Sequence, residues 1–171
     1  MRPWRIEQIG RPRDIYEKPG TEFVAGFLGA SNLLEATLKE VQGETAHVQI
    51  AGGTSITVPA DRLNGLTGRF KIGVRPEKFI VLRAKEDVSE GWNCLYGQIR
   101  DAAYVGVSYQ FTVEGASGRT LNVYEQNIAG QTVPRPGDRV RLSWKPEHTF
   151  VVRPSDPAEE EEGKWKKAEI A

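Results

Sequence analysis

The sequence predicts an all-β chain: a small barrel or sandwich built from two related strand units and preceded by two short helices. Three observations carry that expectation. Apolar and polar residues alternate over many short runs rich in Val, Ile, Thr, Phe and Tyr, and a period of two marks half-buried strands. Eighteen glycines and ten prolines in 171 residues punctuate those runs, as closely spaced turns require. The pattern also repeats within the chain, which points to a duplicated unit.

Residues 5–9 read as a short apolar, strand-like piece ending at Gly10. Pro12 stands where a helix begins, because its fixed φ suits the first turn and its missing N–H has no helical partner there anyway. That helix is expected over 13–18, stopped at Pro19. Thr21 is the N-cap of a second one, with Phe23, Val24, Phe27 and Leu28 forming an apolar stripe and Gly29 closing it. Helices this short are marginal in water. Both need a surface to pack on.

From Asn32 the period changes to two: Leu34, Ala36 and Leu38; Ala46, Val48 and Ile50; Ile56 and Val58; Phe70, Ile72 and Val74; then the apolar run 79–82. Turn signals at Gln42-Gly43 and Gly52-Gly53 separate the early members. A second series follows over 95–105, 108–114, 120–125, 140–145 and 149–153, which makes about ten strands in all.

The two series superimpose. FKIGVRPEKFIVLR (70–83) aligns with VRLSWKPEHTFVVR (140–153) at an offset of 70, and NLLEATL (32–38) resembles NCLYGQI (93–99). The organisation is therefore a leading segment 1–31, a β domain 32–153 of two units at 32–85 and 93–153, and a tail 154–171. Neither unit is long enough to bury much surface by itself, so the halves are expected to pack together or exchange strands. Two prolines, four consecutive glutamates and a lysine cluster make the tail a solvated, disordered end, with Trp165 a stray aromatic. Its removal is expected to leave folding intact.

Several function classes are excluded. Basic and acidic residues number 23 each. The tail holds six acids against three lysines, which leaves the rest with a net charge of only +3, too little for nucleic acid. Tyr104, Tyr109, Phe111 and Tyr124 lack interleaved basic residues, so they read as core or as a small-ligand surface. Cys94 is the single cysteine, and His47 and His148 have no cluster of ligands around them, so no metal residues are assigned. There is no G-x-x-x-x-G-K-[ST] loop, no G-x-S-x-G elbow and no H-E-x-x-H helix, so no catalytic or cofactor-binding residues are assigned either. MRPWRIEQIG lacks the apolar core of a secretory signal, and no run approaches the roughly 20 apolar residues of a membrane span. A cytoplasmic, non-catalytic protein is the expectation.

The most specific internal signal is a repeated basic-Pro-Glu motif, Arg75-Pro76-Glu77 and Lys145-Pro146-Glu147. Proline suits the exit from a strand into a tight turn, and the glutamate can accept from the turn's free amides. As a structural device this is a charge-decorated turn. As a functional one, both turns lie on one rim, with Arg75, Glu77, Lys145 and Glu147 facing solvent and contacting a partner.

The run RIEQIGRPRDIYEKPGTEFVAGFLGASNLL (5–34) resembles the end of the nucleotide-binding domain and the start of the C-terminal domain in ATPase subunits of ABC importers, with the polyamine branch closest. GVRPEKF (73–79) and PGDRVRLSWKPEHTFVV (136–152) resemble two signature stretches of the transport-associated OB-type domain that ends those subunits. The resemblance spans 5–153, and it is the order of the motifs that makes it specific. It implies an OB-like β-barrel that stabilises or regulates an ATPase assembly. The implied partners are an ABC ATPase domain or a second copy of the chain, with the permease reached indirectly and the location peripheral to the inner membrane. The family's ATP-contacting motifs have no counterpart here, so none is carried over. The first two helices would then lack the body on which they normally pack, leaving an apolar patch exposed. A different class remains open: a free-standing small-ligand sensor on the same barrel.

Overall fold

A computed structural model describes residues 6–83, 86–115 and 117–153. The expected tail and Trp165 lie outside the described residues. Two helices, α1 (Pro12–Glu17) and α2 (Glu22–Phe27), precede β1 (Asn32–Gln42), β2 (Thr45–Ile50), β3 (Ser55–Pro59), β4 (Arg69–Val74) and β5 (Ile80–Leu82). The second unit supplies β6 (Asn93–Tyr104), β7 (Ser108–Gly115), β8 (Thr120–Gln126), β9 (Arg139–Trp144) and β10 (Thr149–Val152). Single 3-10 turns fill Ala60–Leu63, Pro76–Lys78 and Pro146–His148.

The ten strands form two five-stranded antiparallel sheets, ordered β10-β4-β1-β2-β3 and β5-β9-β6-β7-β8. Each unit gives its last strand to the other. Phe150 of β10 lies opposite Gly73 of β4, and Ile80 of β5 lies opposite Ser143 of β9. These pairs are equivalent under the sequence offset of 70. The anticipated exchange of strands thus takes a specific form: it joins two units, each too small alone, around one core. That core draws Val48, Ile56, Ile72 and Val81 from the first unit, and Ile99, Phe111, Leu142 and Trp144 from the second.

The duplication extends to polar detail. A β-bulge interrupts β1 between Leu38 and Glu40 and β6 between Ile99 and Asp101, adding the twist that lets a sheet curl. Asn32 at the head of β1 accepts from Asn122 N at 2.7 Å and donates to Asn122 O at 2.8 Å, so its side chain imitates a strand ladder across to β8. Asn93 at the head of β6 does the same with Thr57 of β3, both bonds being 2.8 Å. Both asparagines are buried, so these paired bonds satisfy amides that would otherwise be costly to bury.

The N-terminal segment departs from expectation in two ways. Ile6–Ile9 forms no strand. Instead Gln8 donates to Lys18 O at 3.0 Å and accepts from Gly20 N at 2.9 Å, pinning this stretch to the turn after α1. The expected stripe of α2 is also divided. Thr21 caps the helix by accepting from Val24 N at 3.3 Å, and Val24 and Ala25 are buried, but Phe23 is 55% and Phe27 77% exposed. The two rings stand one turn apart with centroids 6.1 Å from each other. Ala25, with the smallest side chain of the set, is the one that reaches Phe150 and Val152.

Candidate functional site

The basic-Pro-Glu turns begin from one geometry and end in different surroundings. Pro76 and Pro146 each open a 3-10 turn directly after a strand, as the sequence led one to expect. Arg75, however, does not face solvent. It is 2% exposed, and this corrects the expectation that all four charged residues lie on an open rim. Its Nη1 donates to Ala25 O at 3.0 Å, Gly29 O at 3.1 Å, Ala30 O at 3.2 Å and Ser31 Oγ at 2.6 Å, while Nη2 reaches Tyr16 O at 3.1 Å. The guanidinium lies over the Tyr16 ring at 4.2 Å and faces the Phe150 ring at 5.4 Å.

The physical reason lies in α1 and α2. The last carbonyls of a helix lack intrahelical donors, and a planar fork with five N–H groups is suited to collecting several of them at once. Every oxygen bonded to Arg75 among the described residues is neutral. Burial accordingly lowers its pKa, against the fields of Tyr16 and Glu77. Glu77 remains exposed and accepts from the Tyr16 hydroxyl at 2.9 Å. Burial first, and then that bond, raise the Tyr16 pKa. The Arg75 turn is therefore a clamp for the N-terminal helices, reinforced by an ion pair of 2.8 Å between Glu22 of α2 and Lys71 of β4.

Lys145 and Glu147 are exposed, in line with expectation. Lys145 Nζ stands 3.8 Å from the Glu147 carboxylate and 5.6 Å from the centre of the Trp92 ring. The two turns do border a common cavity of about 270 Å³, which Arg75, Lys78, Glu147 and His148 help to line. The residues that complete the Arg75 clamp, Tyr16, Ser31 and Phe150, went unrecognised in the sequence. The signal available was Gly73, where an alanine Cβ would stand 2.1 Å from the Phe150 ring.

Residues 72–152 match the TOBE domain family. Over that stretch the chain is similar to a TOBE domain. The family match begins inside β4 and runs through β10, so it takes in both basic-Pro-Glu turns and the exchanged strands. The chain is 37% identical over 158 residues to the spermidine/putrescine import ATP-binding protein of Acidothermus cellulolyticus, covering 91% of this chain and 40% of that protein. It is 38% identical to the protein of that name from Frankia alni, covering 89% of this chain and 34% of the relative. The Methylococcus capsulatus protein is 36% identical, with 92% and 40% covered. The chain thus spans about two fifths or less of the relatives it matches.

Among solved structures, the cytoplasmic molybdate-binding protein ModG with molybdate bound superimposes with a TM-score of 0.59 at 15% identity, over 72% of this chain and 96% of that one. At that identity the likeness bears on the fold, which is the expected OB-like architecture. Among the described residues no helix is long and apolar enough to cross a membrane.

Proposed function

We propose that this chain is a non-catalytic accessory domain for the ATP-binding subunit of a polyamine-type ABC importer, mediating contact with an ATPase domain or with a second copy of itself. The carrying observation is the asymmetry of the match: 91% of this chain aligns with 40% of a spermidine/putrescine import ATP-binding protein, and the sequence has no P-loop. The N-terminal segment supports the reading. Phe23 and Phe27 stand exposed on α2, while the opposite face of that helix is clamped to the barrel, as suits a connector with a second body to cover it. The working location on this reading is cytoplasmic and peripheral to the membrane, with the permease reached through the ATPase.

Sedimentation of the chain alone and mixed with an isolated polyamine-importer ATPase domain tests the reading. A complex with either partner is expected, weakened by Phe23→Ser with Phe27→Ser, and the chain by itself is expected to show no ATP turnover. Absence of both complexes, or turnover by a contamination-free sample, overturns the proposal. The second reading, a small-ligand sensor, draws support from the barrel shared with a molybdate-binding protein. It is favoured if a small anion stabilises the chain and no ATPase domain binds.

A further inference from the structure

The two sheets present equivalent outer faces, and only one of them is sealed. Residues that pair across antiparallel strands point to the same side, so the register fixes two rows on each face. In the first sheet Phe150, Gly73 and Leu33 form one row, and Val152, Lys71 and Glu35 form the next. Helix α2 lies over them. Ala25 packs on Phe150 and Val152 with Leu33 beside them, and Glu22, three positions before it, pairs with Lys71 at 2.8 Å.

In the second sheet the rows are Ile80, Ser143 and Cys94, then Leu82, Arg141 and Tyr96. The offset of 70 puts Ile80, Leu82, Ser143 and Arg141 in the places of Phe150, Val152, Gly73 and Lys71, and the matched starts of β1 and β6 put Cys94 and Tyr96 in those of Leu33 and Glu35. The apolar seat and the cation that α2 uses are thus both repeated. The helix is not: α2 has no counterpart in the second unit among the described residues. Ile80 is 44% and Tyr96 70% exposed, and Leu82 and Cys94 are only half-buried. Arg141 donates to Glu86 O but forms no ion pair among the described residues. Single exposed apolar side chains are ordinary, whereas adjoining rows of them on strands about 4.8 Å apart make a contiguous patch of the kind that marks an interaction site.

We infer that this face of the second sheet binds a short amphipathic helix of another protein, one that carries an acid in its first turn and a small apolar residue three positions on, as Glu22 and Ala25 stand in α2. The acid pairs with Arg141, and the small residue lets the helix settle closely on Ile80 and Leu82, with Tyr96 at its border. The α2 helix of a second copy does not fit the role, because its Ala25 is fully buried against its own sheet. The face belongs to β5, β9 and β6, away from Phe23 and Phe27, and the inference does not depend on the transporter reading.

The probe is a peptide of residues 19–31 with a hydrocarbon staple in place of Phe23 and Phe27, which stand one turn apart on the exposed side of α2, its helicity confirmed by circular dichroism. Added to the whole chain and followed by methyl NMR, it should bind saturably, with half-saturation below about 1 mM, and shift the Ile80 and Leu82 signals while leaving Val152 in place. Ile80→Glu should weaken binding about tenfold or more, with Tyr96→Glu taking its part should that variant fail to fold. Arg141→Gln in the chain and Glu22→Gln in the peptide should each weaken it about threefold and together no further, since each removes the same pair. Absence of saturable binding, shifts centred on Val152, or undiminished binding to the folded variants overturns the inference. So does displacement of the probe by a peptide of residues 154–171, which gives the face to the chain's own tail, or self-association of the chain that Ile80→Glu abolishes, which gives it to a second copy.

Discussion

Arg75 and Lys145 sit at equivalent positions of a duplicated unit, with φ and ψ of −71° and 142° in one case and −71° and 140° in the other. The backbone is the same, yet one side chain is buried against two helices and the other is in solvent. The difference reaches the flanking residues. In the first unit Gly73 has no Cβ, so the ring of Phe150 lies flat on the backbone of β4, 1% exposed, and offers Arg75 and Ala25 an apolar floor. In the second, Ser143 stands for Gly73 and spends its hydroxyl on Asn93 O at 2.9 Å, while Ile80 stands for Phe150 and is 44% exposed. A duplicated turn thus becomes a clamp or an open surface according to what its neighbours leave room for.

The largest expected effect breaks the clamp. Arg75→Met keeps the length and apolar stem but removes every bond to the carbonyls of the N-terminal helices, and should cost about 3 kcal/mol. Denaturant unfolding measures the loss. Hydrogen exchange should show faster opening confined first to α1 and α2, since those elements bury little apolar surface otherwise. Uniform loss of protection throughout both sheets would mean that the helices are integral to the barrel instead of fastened to it.

Gly73→Ala attacks the same contrast from the other strand. A Cβ placed 2.1 Å from the Phe150 ring must displace it, and overpacking of this kind costs about 2 kcal/mol. Combined with Phe150→Leu, which narrows the obstructing group, the double variant should recover part of that loss. Strictly additive losses in thermal unfolding would show that the contact does not limit what position 73 tolerates.

How much of this was legible before the structure depended on the range of the interaction. The strands follow from local alternation and, for β5, from a short apolar run, and the capping of α2 by Thr21 follows from the residue type. The repeat pointed to exchanged strands as one option, because neither unit is long enough to bury much surface by itself. The fate of Arg75 was not legible. Its hydrogen-bond partners lie 44 to 59 positions earlier in the chain and the Phe150 ring far later, and a motif read beside its twin looks symmetric when its surroundings are not. Lys145 and Glu147 are exposed as expected among the described residues, the usual condition of charged turn residues. The cavity between the two turns also escaped the sequence, because Arg62, Lys78 and His148 come from three separate turns that only the folded chain brings together.

The smallest effect on the fold belongs to Lys145, and it sharpens the comparison most. Its contacts are an exposed carboxylate at 3.8 Å and the face of Trp92 at 5.6 Å, and such surface pairings contribute little. Lys145→Ala should therefore shift unfolding by no more than about 0.5 kcal/mol, where the same change at its twin position unseats two helices. Association is a separate matter. In a complex with an ATPase domain or a second copy, a desolvated and paired Lys145 would lose about 2–5 kcal/mol on truncation, so the variant should melt like the parent while its sedimentation shows weakened association. If Lys145→Ala melts normally and associates normally, the second turn has no part in the interface, and contact must be sought at Phe23 and Phe27. If it melts early, the open turn is a structural element as its twin is, and the contrast between the two units lies only in which residues do the holding.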